Sequence, residues 1–330
     1  MLINHTERAM NRTPIAFFAY NRPEHADRAL RSLAACRRFD ECDLFLFADG
    51  PKTEASEASR AQIEATRAVL RDWASRLDAE LVERDVNLGL ARSIHAGATA
   101  LCERYGRAIV IEDDLVLGSD FLDFMISALD RYADDAAVMQ VGGYTLSPPK
   151  NLSTDAFLLP VTTTWGWATW KRAWEAFAWQ PHALDEARRD AEWKQLFDLA
   201  GPGFYNGMLD DRLAGRNDSW GILWWYAVSR RRGLVVYPAQ TLVWNGGFDG
   251  SGVHCGDADF TGQAGINPDA WRMQQPPRFP EKVSFEQEHL EQLEAFVAGT
   301  AAVAPANPQT RSGWRSQLGR FKARLAHAFS

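Results

Sequence analysis

The sequence is poor in cysteine, and its cysteines are not spaced as a metal site or a disulfide framework would require. Of 330 residues only four are cysteine, Cys36, Cys42, Cys102 and Cys255, and no two of them form a C-x-x-C pair. This pattern argues against zinc ribbons and against small disulfide-stapled scaffolds. It predicts a protein of a reducing compartment, the cytoplasm.

Long apolar segments and an excess of positive charge are also missing. No run of about eighteen apolar residues occurs, and the first residues do not resemble a secretory signal, so no membrane-spanning helix is expected. The formal net charge of −7 does not favour nucleic acid as a partner. With 46% hydrophobic and 24% charged residues, the composition is that of a well-packed globular protein.

The first half of the chain shows a regular alternation of strand and helix patterns. Short β-branched and aromatic runs predict strands, and amphipathic stretches predict the helices between them. The predicted strands are Ile15–Ala19, Asp43–Ala48, Glu80–Glu83, Ala108–Ile111 and Val138–Gly143. Strands joined by helices at this spacing form βαβ units. The sequence therefore predicts an α/β fold with a mostly parallel sheet flanked by helices.

Three consecutive carboxylates, Glu112, Asp113 and Asp114, directly follow the fourth predicted strand. Ligands of open α/β sheets bind at the carboxyl ends of the strands. Hard oxygen ligands suit Mg²⁺ or Mn²⁺, so the triplet is a candidate metal site. The alternative is a solvated acidic turn that leads into a helix N-capped by Ser119 or Asp120.

Polar residues at other strand ends are expected to lie near the same crevice. They are Tyr20, Asn21, Arg22, Asp49, Arg84 and Arg92. Asp49 can accept hydrogen bonds from a nucleobase or a ribose, and Arg22 and Arg92 can contact phosphates. Residues 13–145 are therefore predicted to form a nucleotide-binding half.

The second half of the chain, residues 146–258, is rich in tryptophan. Residues 157–245 hold ten of the 13 tryptophans. Core packing is one explanation, and the helical spacing of Trp167, Trp170 and Trp174 favours it for those three. The alternative is a set of aromatic platforms for sugar rings, which have apolar faces and polar edges.

A general base would complete a group-transfer site in this half. The candidates are Asp210, Asp211 and Asp218. Asp218 precedes a predicted helix, so it could equally be the N-cap of that helix, a role for which Ser219 competes. Glycine-rich turns around His254 predict a mobile flap.

The two ends of the chain are predicted to be appendages. Residues 1–12 form a loose arm, 259–298 a wrapping segment with a helix, and 299–310 a linker. Residues 311–330 form a basic amphipathic helix with a narrow apolar stripe (Trp314, Leu318, Phe321, Leu325, Phe329). Such a helix can lie on an anionic membrane, which would place the protein on the inner face of the plasma membrane. Docking on the acidic body or on another subunit is the alternative.

These segments together resemble a known family. The matching pieces are PIAFFAYNRP, the turn at Asp49, GLARSIHAGATAL, IVIEDDLVLGSDF, TTTWGWATWKRAW, NDSW and GVHCG. From about Pro14 to Gly256 the chain resembles nucleotide-sugar-dependent glycosyltransferases of the GT-A (Rossmann-like) fold. It is most similar to the family of the N-acetylglucosaminyltransferase that starts complex N-glycan branching, and to related bacterial family-2-like transferases.

The resemblance implies a role for each matching residue. Asp114 would be the direct metal ligand with Asp113 beside it, and Glu112 and Asp113 would face the nucleoside and the donor sugar. Asp218 falls at the position of the inverting base, although Ser219 stands where the family has a second acid. The remaining implied donor contacts are Arg22 and Asp49 at the base, Arg84 near it, Trp165 in the sugar pocket and His254 in a loop over the donor.

The implied activity is inverting, metal-dependent sugar transfer from a nucleotide-diphosphate sugar to a hydroxyl of a glycan, glycolipid or protein. Mn²⁺ or Mg²⁺ would be the cofactor, UDP-N-acetylglucosamine the favoured donor, and bacterial surface-glycan assembly the setting. Two alternatives stay open. A sugar-nucleotide nucleotidylyltransferase would need a glycine-rich loop after the first strand, where Ala19–Pro23 has no glycine. A non-catalytic sugar-binding protein of the same fold is the other.

Overall fold

The computed structural model describes residues 12–150, 152–199, 203–247, 266–270 and 272–302. The predicted flap with His254 and the predicted helix 311–330 lie outside these residues, as does the predicted arm up to residue 11. In the described ranges, no helix is both long and apolar enough to cross a bilayer.

Strands and helices alternate along the chain as follows. The strands are β1 Thr13–Ala19, β2 Cys42–Ala48, β3 Glu80–Glu83, β4 Arg107–Glu112, β5 Leu115–Leu117, β6 Val138–Gly142, β7 Ala156–Leu159, β8 Trp167–Trp170, β9 Leu234–Pro238 and β10 Val243–Asn245. The helices are α1 Pro23–Ala34, α2 Glu57–Leu77, α3 Leu90–Tyr105, α4 Phe121–Arg131, α5 Lys171–Trp174, α6 Leu184–Arg189, α7 Ala191–Phe197, α8 Phe204–Leu213, α9 Gly221–Arg230 and α10 Gln287–Ala302. The last helix extends beyond its predicted end at Val297, into the predicted linker.

A mostly parallel sheet forms the centre of the molecule. Across the described residues its eight strands have the order β3-β2-β1-β4-β8-β6-β9-β7. Strands β1 to β4 are mutually parallel, β6 and β9 run in the same direction as they do, and β8 and β7 are antiparallel. The strands β1, β2 and β4 are almost wholly buried, which explains their continuous apolar runs. The predicted α/β fold with a mostly parallel sheet is confirmed.

The connections between the first four strands place their carboxyl ends at one edge of the sheet. β1, β2 and β3 succeed each other in one direction, and the chain then returns to pair β4 with the other side of β1. Right-handed crossovers therefore put α1 and α2 on one face of the sheet and α3 on the other. Helix α3 packs closely because Gly97 has no side chain, since a Cβ there would be 2.6 Å from Cζ of Phe18.

The tryptophan-rich half contributes core rather than a row of exposed platforms. Eight of its tryptophans are at most 5% exposed: Trp165, Trp167, Trp170, Trp174, Trp193, Trp220, Trp224 and Trp225. Several satisfy their indole N–H inside the core, as Trp224 does by donating to Oε1 of Gln140 at 2.6 Å. Core packing is thus the explanation for most of the cluster, and Trp179 and Trp244 are the half-buried exceptions.

The helical spacing of three tryptophans was misleading about local structure. Trp167 and Trp170 lie on strand β8, which pairs antiparallel with β4, and Trp174 ends the short helix α5. Residues three apart in a strand point to opposite faces. Both faces of this central strand are buried, so tryptophans that point to opposite faces are all in the core. Their spacing of three residues therefore does not require a helix.

The predicted side-chain cap of α4 is also wrong. Asp120 is the N-cap residue, but its side chain makes no capping hydrogen bond. Its carboxylate accepts from the backbone N–H of Met273 at 2.9 Å and pairs with Arg37. This acid therefore fastens the wrapping segment to the body of the protein.

Three buried thiols give a prediction about reactivity. Burial raises the pKa of Cys36, Cys42 and Cys102 to about 12, from an ordinary value of 9.0. The thiolate is the nucleophile, so these groups stay protonated and inert at pH 8 to 9 in the folded protein. We expect alkylation by iodoacetamide at these three sites to be at least about tenfold slower in the native protein than in urea, read by peptide mass spectrometry. Equal rates in both states would contradict the burial of these thiols.

Candidate active site

The acid triplet lies where β4 ends, at the carboxyl edge of the sheet. Asp113 is 3% exposed, and Glu112 and Asp114 are partly buried. The turn after β1 brings Arg22 to the same place, where its Nη2 donates to Oδ1 of Asp113 and, at 3.1 Å, to Oδ2 of Asp114. Neighbouring strand ends thus place one guanidinium against two carboxylates. The predicted meeting of Arg22 with the triplet follows from the pairing of β1 with β4.

The negative charge of this site exceeds what Arg22 compensates. Burial, reinforced by Asp114 and Asp113, raises the pKa of Glu112 well above its ordinary value, and Arg22 opposes this only in part. Burial likewise raises the pKa of Asp113 despite its ion pair with Arg22. Three crowded carboxylates with one arginine therefore favour an additional cation.

A small antiparallel ribbon of β5 and β10 carries another part of the chain to Asp114. Asn245 of β10 pairs with Leu115, and the backbone N–H of Gly246 donates to the carbonyl oxygen of Asp114 at 2.7 Å. A Cβ at Gly247 would be only 2.8 Å from Oδ2 of Asp114. Glycine is required here because the backbone passes directly beside the carboxylate.

The residues of this site fit a divalent metal that is held partly by substrate. In the described part of the chain, no three His, Cys, Asp or Glu side chains form a ready-made metal cluster. Asp113 and Asp114 nevertheless converge on a single cationic group, the Arg22 guanidinium. Mg²⁺-type sites commonly use one or two carboxylates and take their other ligands from phosphates and water. The donor set matches that type of site.

Asp49 accepts four hydrogen bonds from neighbouring loop residues. Its Oδ1 accepts from the backbone N–H groups of Gly50 and Leu88, and its Oδ2 accepts from Gly89 N and Asn87 Nδ2, all at 2.9 to 3.0 Å. Each carboxylate oxygen therefore already has two donors, which fills its usual capacity. Asp49 holds the 86–89 loop against the end of β2, and its predicted contact with a nucleobase stays a prediction.

This anchoring can be tested by stability. We expect Asp49→Ala to lower the free energy of unfolding by about 2–3 kcal/mol, because buried donors of the loop lose their acceptor. Urea denaturation would measure it. Asp72→Ala is the matched control, since Asp72 is an exposed carboxylate paired with Arg76 at 2.7 Å and should cost about 0.5 kcal/mol or less. Equal losses in the two variants would refute the anchoring role.

The structure places the other predicted donor contacts in varied surroundings. Tyr20 and Asn21 are half-buried in the bend between β1 and α1. Arg84 donates to Oγ of Ser93 at 2.7 Å, and Arg92 projects from the first turn of α3. All four are at the carboxyl edge of the first three strands, but only Arg22 of the predicted cations contacts the triplet among the described ion pairs. The donor roles of the others stay predictions.

Trp165 is less accessible than a sugar platform would be. It is 5% exposed, and its ring centroid lies 4.5 Å from that of Tyr144. It precedes β8 beside Gly166, whose φ of +62° is a conformation that favours glycine. Its predicted role in the sugar pocket stays a prediction.

A tightly held turn carries Asp218. Asn217 donates from Nδ2 to the carbonyl of Met208 at 3.0 Å, and its Oδ1 accepts from the N–H of Ser219. Oγ of Ser219 accepts from the N–H of Ile222 at 3.3 Å, and the N-cap residue of helix α9 is Trp220, without a side-chain capping bond. Asp218 is therefore free of the capping role and is exposed to solvent.

Aromatic packing connects this turn with the central sheet. Trp167 pairs with Val110 near the carboxyl end of β4, and the ring centroids of Trp167 and Trp220 are 5.2 Å apart. Trp220, two residues after Asp218, thus packs against the strand next to β4. By contrast, the exposed carboxylates of Asp210 and Asp211 are ion-paired with Arg188 and Arg216.

Sequence reasoning missed the contribution of Asn245 and Gly247 to the site. The glycine-rich stretch from Asn245 predicted only a flap, whereas Oδ1 of Asn245 accepts from Gly247 N at 2.7 Å and shapes the turn beside Asp114. The signal was present as Asn-Gly-Gly after a short apolar run. The strand with which this segment pairs could not be predicted from the sequence, because β5 and β10 are more than a hundred residues apart.

Comparison with known proteins identifies similar structures only. No protein-family model and no curated protein sequence matches the chain. Among solved structures, a mannosyltransferase from Pyrobaculum calidifontis in complex with GDP-mannose and Mn²⁺ is similar with 13% identity and a TM-score of 0.40, over 96% of this chain and 86% of that one.

Two further structures match about half of the chain. Glucosyl-3-phosphoglycerate synthase from Mycobacterium tuberculosis, with Mn²⁺ and UDP, is 12% identical with a TM-score of 0.32, over 52% of this chain and 60% of that one. Mouse xyloside xylosyltransferase 1 is 16% identical with a TM-score of 0.32, over 56% of this chain and 74% of that one. These identities and TM-scores are too low to carry an argument about function. The function proposed below is therefore inferred from the geometry of the site.

Proposed function

We propose that the protein is a metal-dependent glycosyltransferase that uses a nucleotide-diphosphate sugar and inverts the anomeric configuration. The observation that carries this proposal is the acid triplet, in which Asp113 and Asp114 converge on one cationic position at the end of β4. The exposed carboxylate of Asp218, which makes no capping hydrogen bond to α9, supports the proposal as a candidate base. This combination supplies a metal site and a separate base.

Each residue of the site has a defined task in this proposal. Asp114, with Asp113, would hold Mn²⁺ or Mg²⁺, which when bound neutralises the charge that develops on a leaving diphosphate. Arg22 balances the carboxylates and presents a guanidinium towards a phosphate group. Glu112 is the candidate for contacts with the nucleoside or the donor sugar. The loop that Asp49 fixes would form one wall of the nucleotide site.

Asp218 would act on the acceptor. A hydroxyl nucleophile must lose a proton as it attacks, and a carboxylate on the opposite side from the leaving group can take that proton. Its exposure and freedom from a capping bond suit this task. Asp211 is the second candidate, but its Oδ1 already accepts from Nε of Arg216 at 2.8 Å, so that oxygen is less available to an acceptor hydroxyl.

A ligand screen tests the proposal. A ligand that binds only the native state raises the melting temperature. We expect UDP, GDP or dTDP to raise the melting temperature of the wild-type protein more with Mn²⁺ than without it. The Asp114→Asn variant should lose the Mn²⁺-dependent part of that shift. If none of these nucleotides stabilises the wild-type protein at millimolar concentration, the proposal fails.

The finer parts of the proposed function concern donor and setting. We propose UDP-N-acetylglucosamine as the donor and surface-glycan assembly in bacteria as the process, with a glycan or lipid-linked acceptor. The support is the likeness of the sequence segments to N-acetylglucosaminyltransferases. Comparing UDP-, GDP- and dTDP-sugars in the same screen would decide the donor.

We also propose that residues 311–330 attach the protein to an anionic membrane, which would place it on the inner face of the plasma membrane. The support is the sequence, in which the segment has five Lys and Arg residues and no acid, and four of these basic residues flank an apolar stripe. Each basic group is worth about 1 kcal/mol near such a surface. We expect full-length protein to co-sediment with vesicles containing phosphatidylserine, and a chain ending at residue 310 to stay in the supernatant. Equal partition of both proteins would contradict the proposal.

A further inference from the structure

Two arginines from distant segments meet at one half-buried tryptophan beside the Asp218 turn. The guanidinium carbons of Arg92, from α3, and Arg212, from α8, each lie 5.7 Å from the ring centroid of Trp179. His95 lies one helical turn after Arg92, and its ring centroid is 5.1 Å from that of Trp179. These four residues are called the arginine–tryptophan cluster below.

The positive charge of the cluster is not neutralised by acids. In the described ranges, neither Arg92 nor Arg212 pairs with a carboxylate. Arg76 over Trp73 differs, since it is paired with Asp72 at 2.7 Å. In a protein with a net charge of −7, two neighbouring arginines without acidic partners indicate a place for an external anion.

One of these guanidinium groups is held in position with its outer edge available. Nε of Arg212 donates to the carbonyl oxygen of Ser219 at 3.1 Å, and no partner is described for its two Nη atoms. That bond fixes the plane of the guanidinium, and the two Nη groups can then bind an oxyanion at two points. The same bond ties the arginine to the residue that follows Asp218.

The pKa of the histidine in the cluster is lowered. Burial first, and then the charge of Arg92, lower the pKa of His95 below its ordinary value of 6.5. A neutral imidazole at pH 7 adds a hydrogen-bonding group without adding charge. Aromatic packing holds this ring, whose centroid is 5.0 Å from that of Phe177. The cluster is therefore arranged before any ligand arrives.

We propose that the arginine–tryptophan cluster binds an anionic group, a phosphate or a carboxylate, on the acceptor substrate. Arg92 and Arg212 would bind the oxyanion, and Trp179 would support the apolar part of the same molecule. Because Arg212 is bonded to Ser219, an acceptor held here would lie next to Asp218. The assignment of the anion to an acceptor rests on the proposed function, whereas the anion site itself does not.

Calorimetry with three methyl glycosides tests the site without donor or metal. The probes are methyl glucoside 6-phosphate, methyl glucuronide and neutral methyl glucoside. We expect one or both charged probes to bind, the neutral one not to bind, and the stronger of the charged probes to identify phosphate or carboxylate. The Arg92→Gln/Arg212→Gln double variant should bind at least about tenfold more weakly, because charged hydrogen bonds are lost.

Two further variants test whether the loss of binding is specific to the arginine–tryptophan cluster. Arg76→Gln removes an arginine that lies over a tryptophan but is already paired with an acid. This variant should bind the probes as the wild-type protein does. Arg92→Gln alone changes an exposed residue in the first turn of α3, should keep the native circular dichroism, and should show at least about a threefold loss. The proposal is overturned if charged probes bind no tighter than the neutral one, or if these variants bind as the wild-type protein does.

Nucleotide binding measured on the same preparation keeps the two proposals distinct. Anion binding without any Mn²⁺-dependent nucleotide binding would refute the acceptor assignment together with the proposed function, while leaving an anion site. Nucleotide binding without anion binding would refute the cluster's role and leave the glycosyltransferase proposal intact.

Discussion

Asp114→Asn is expected to abolish sugar transfer while the protein remains folded. Asparagine keeps the size of the side chain and the backbone bond from Gly246 to the carbonyl of residue 114, but it removes the charge that would hold the metal. Metal stabilisation of a leaving diphosphate is worth several kcal/mol, so the rate should fall about 10³-fold or more. Transfer assays with Mn²⁺, together with circular dichroism, would measure this.

A carboxylate at the opposite edge of the sheet is the matched control. Asp43 is also half-buried and also paired with an arginine, Arg12, and it accepts from the hydroxyl of Tyr105 at 3.0 Å. Asp43→Asn should reduce stability but leave the rate per folded molecule unchanged. Asp114 has no metal role if Asp114→Asn keeps Mn²⁺-stimulated transfer, or if both variants lose activity equally.

Asp218→Asn should lower kcat by about 10²-fold or more and leave nucleotide affinity nearly intact. A general base acts on the acceptor hydroxyl in the transition state, so its loss is felt in the chemical step and not in donor binding. Stability should change little, because Asp218 is exposed and its side chain does not cap the following helix. Steady-state kinetics and nucleotide titration on the same variant would separate the two effects.

Two nearby acids serve as controls for this assignment. Asp211→Asn breaks an exposed pair with Arg216, and Asp210→Asn breaks an exposed pair with Arg188. Each should leave kcat within about threefold of the wild-type value. If Asp211→Asn shows the large loss instead, Asp211 is the base. A product that retains the anomeric configuration, read by NMR, would contradict a single-base mechanism.

The parallel half of the fold could be predicted because its signals are local. Strands such as Ile15–Ala19 and Ala108–Ile111 are buried on both faces, so each is a continuous apolar run bounded by turn residues. The βαβ rule then places their carboxyl ends together, which is enough to predict the meeting of Arg22 with Asp113 and Asp114. The triplet was therefore accessible to sequence reasoning.

The parts that could not be predicted depend on contacts between distant segments. Trp167 and Trp170 have a helical spacing but lie on a strand whose residues are buried on both faces of the sheet. The carboxylate of Asp49 accepts hydrogen bonds from a loop about forty residues later in the chain. No local sequence pattern predicts these bonds. The cluster of Arg92 and Arg212 at Trp179 likewise exists only after α3 and α8 meet.

The most direct test of the account is the identity of the phosphorus-containing product. The protein would be incubated with Mn²⁺ and UDP-, GDP- or dTDP-sugars, and the products would be followed by phosphorus NMR. We predict release of the nucleoside diphosphate from one of these donors, with the sugar passed to an acceptor or to water, and no release by Asp114→Asn. In a parallel incubation with added pyrophosphate, conversion of the NDP-sugar into a nucleoside triphosphate and a sugar 1-phosphate would instead indicate a nucleotidylyltransferase. Nucleotide binding without turnover of any donor would indicate a sugar-nucleotide-binding protein, and either result would contradict the account.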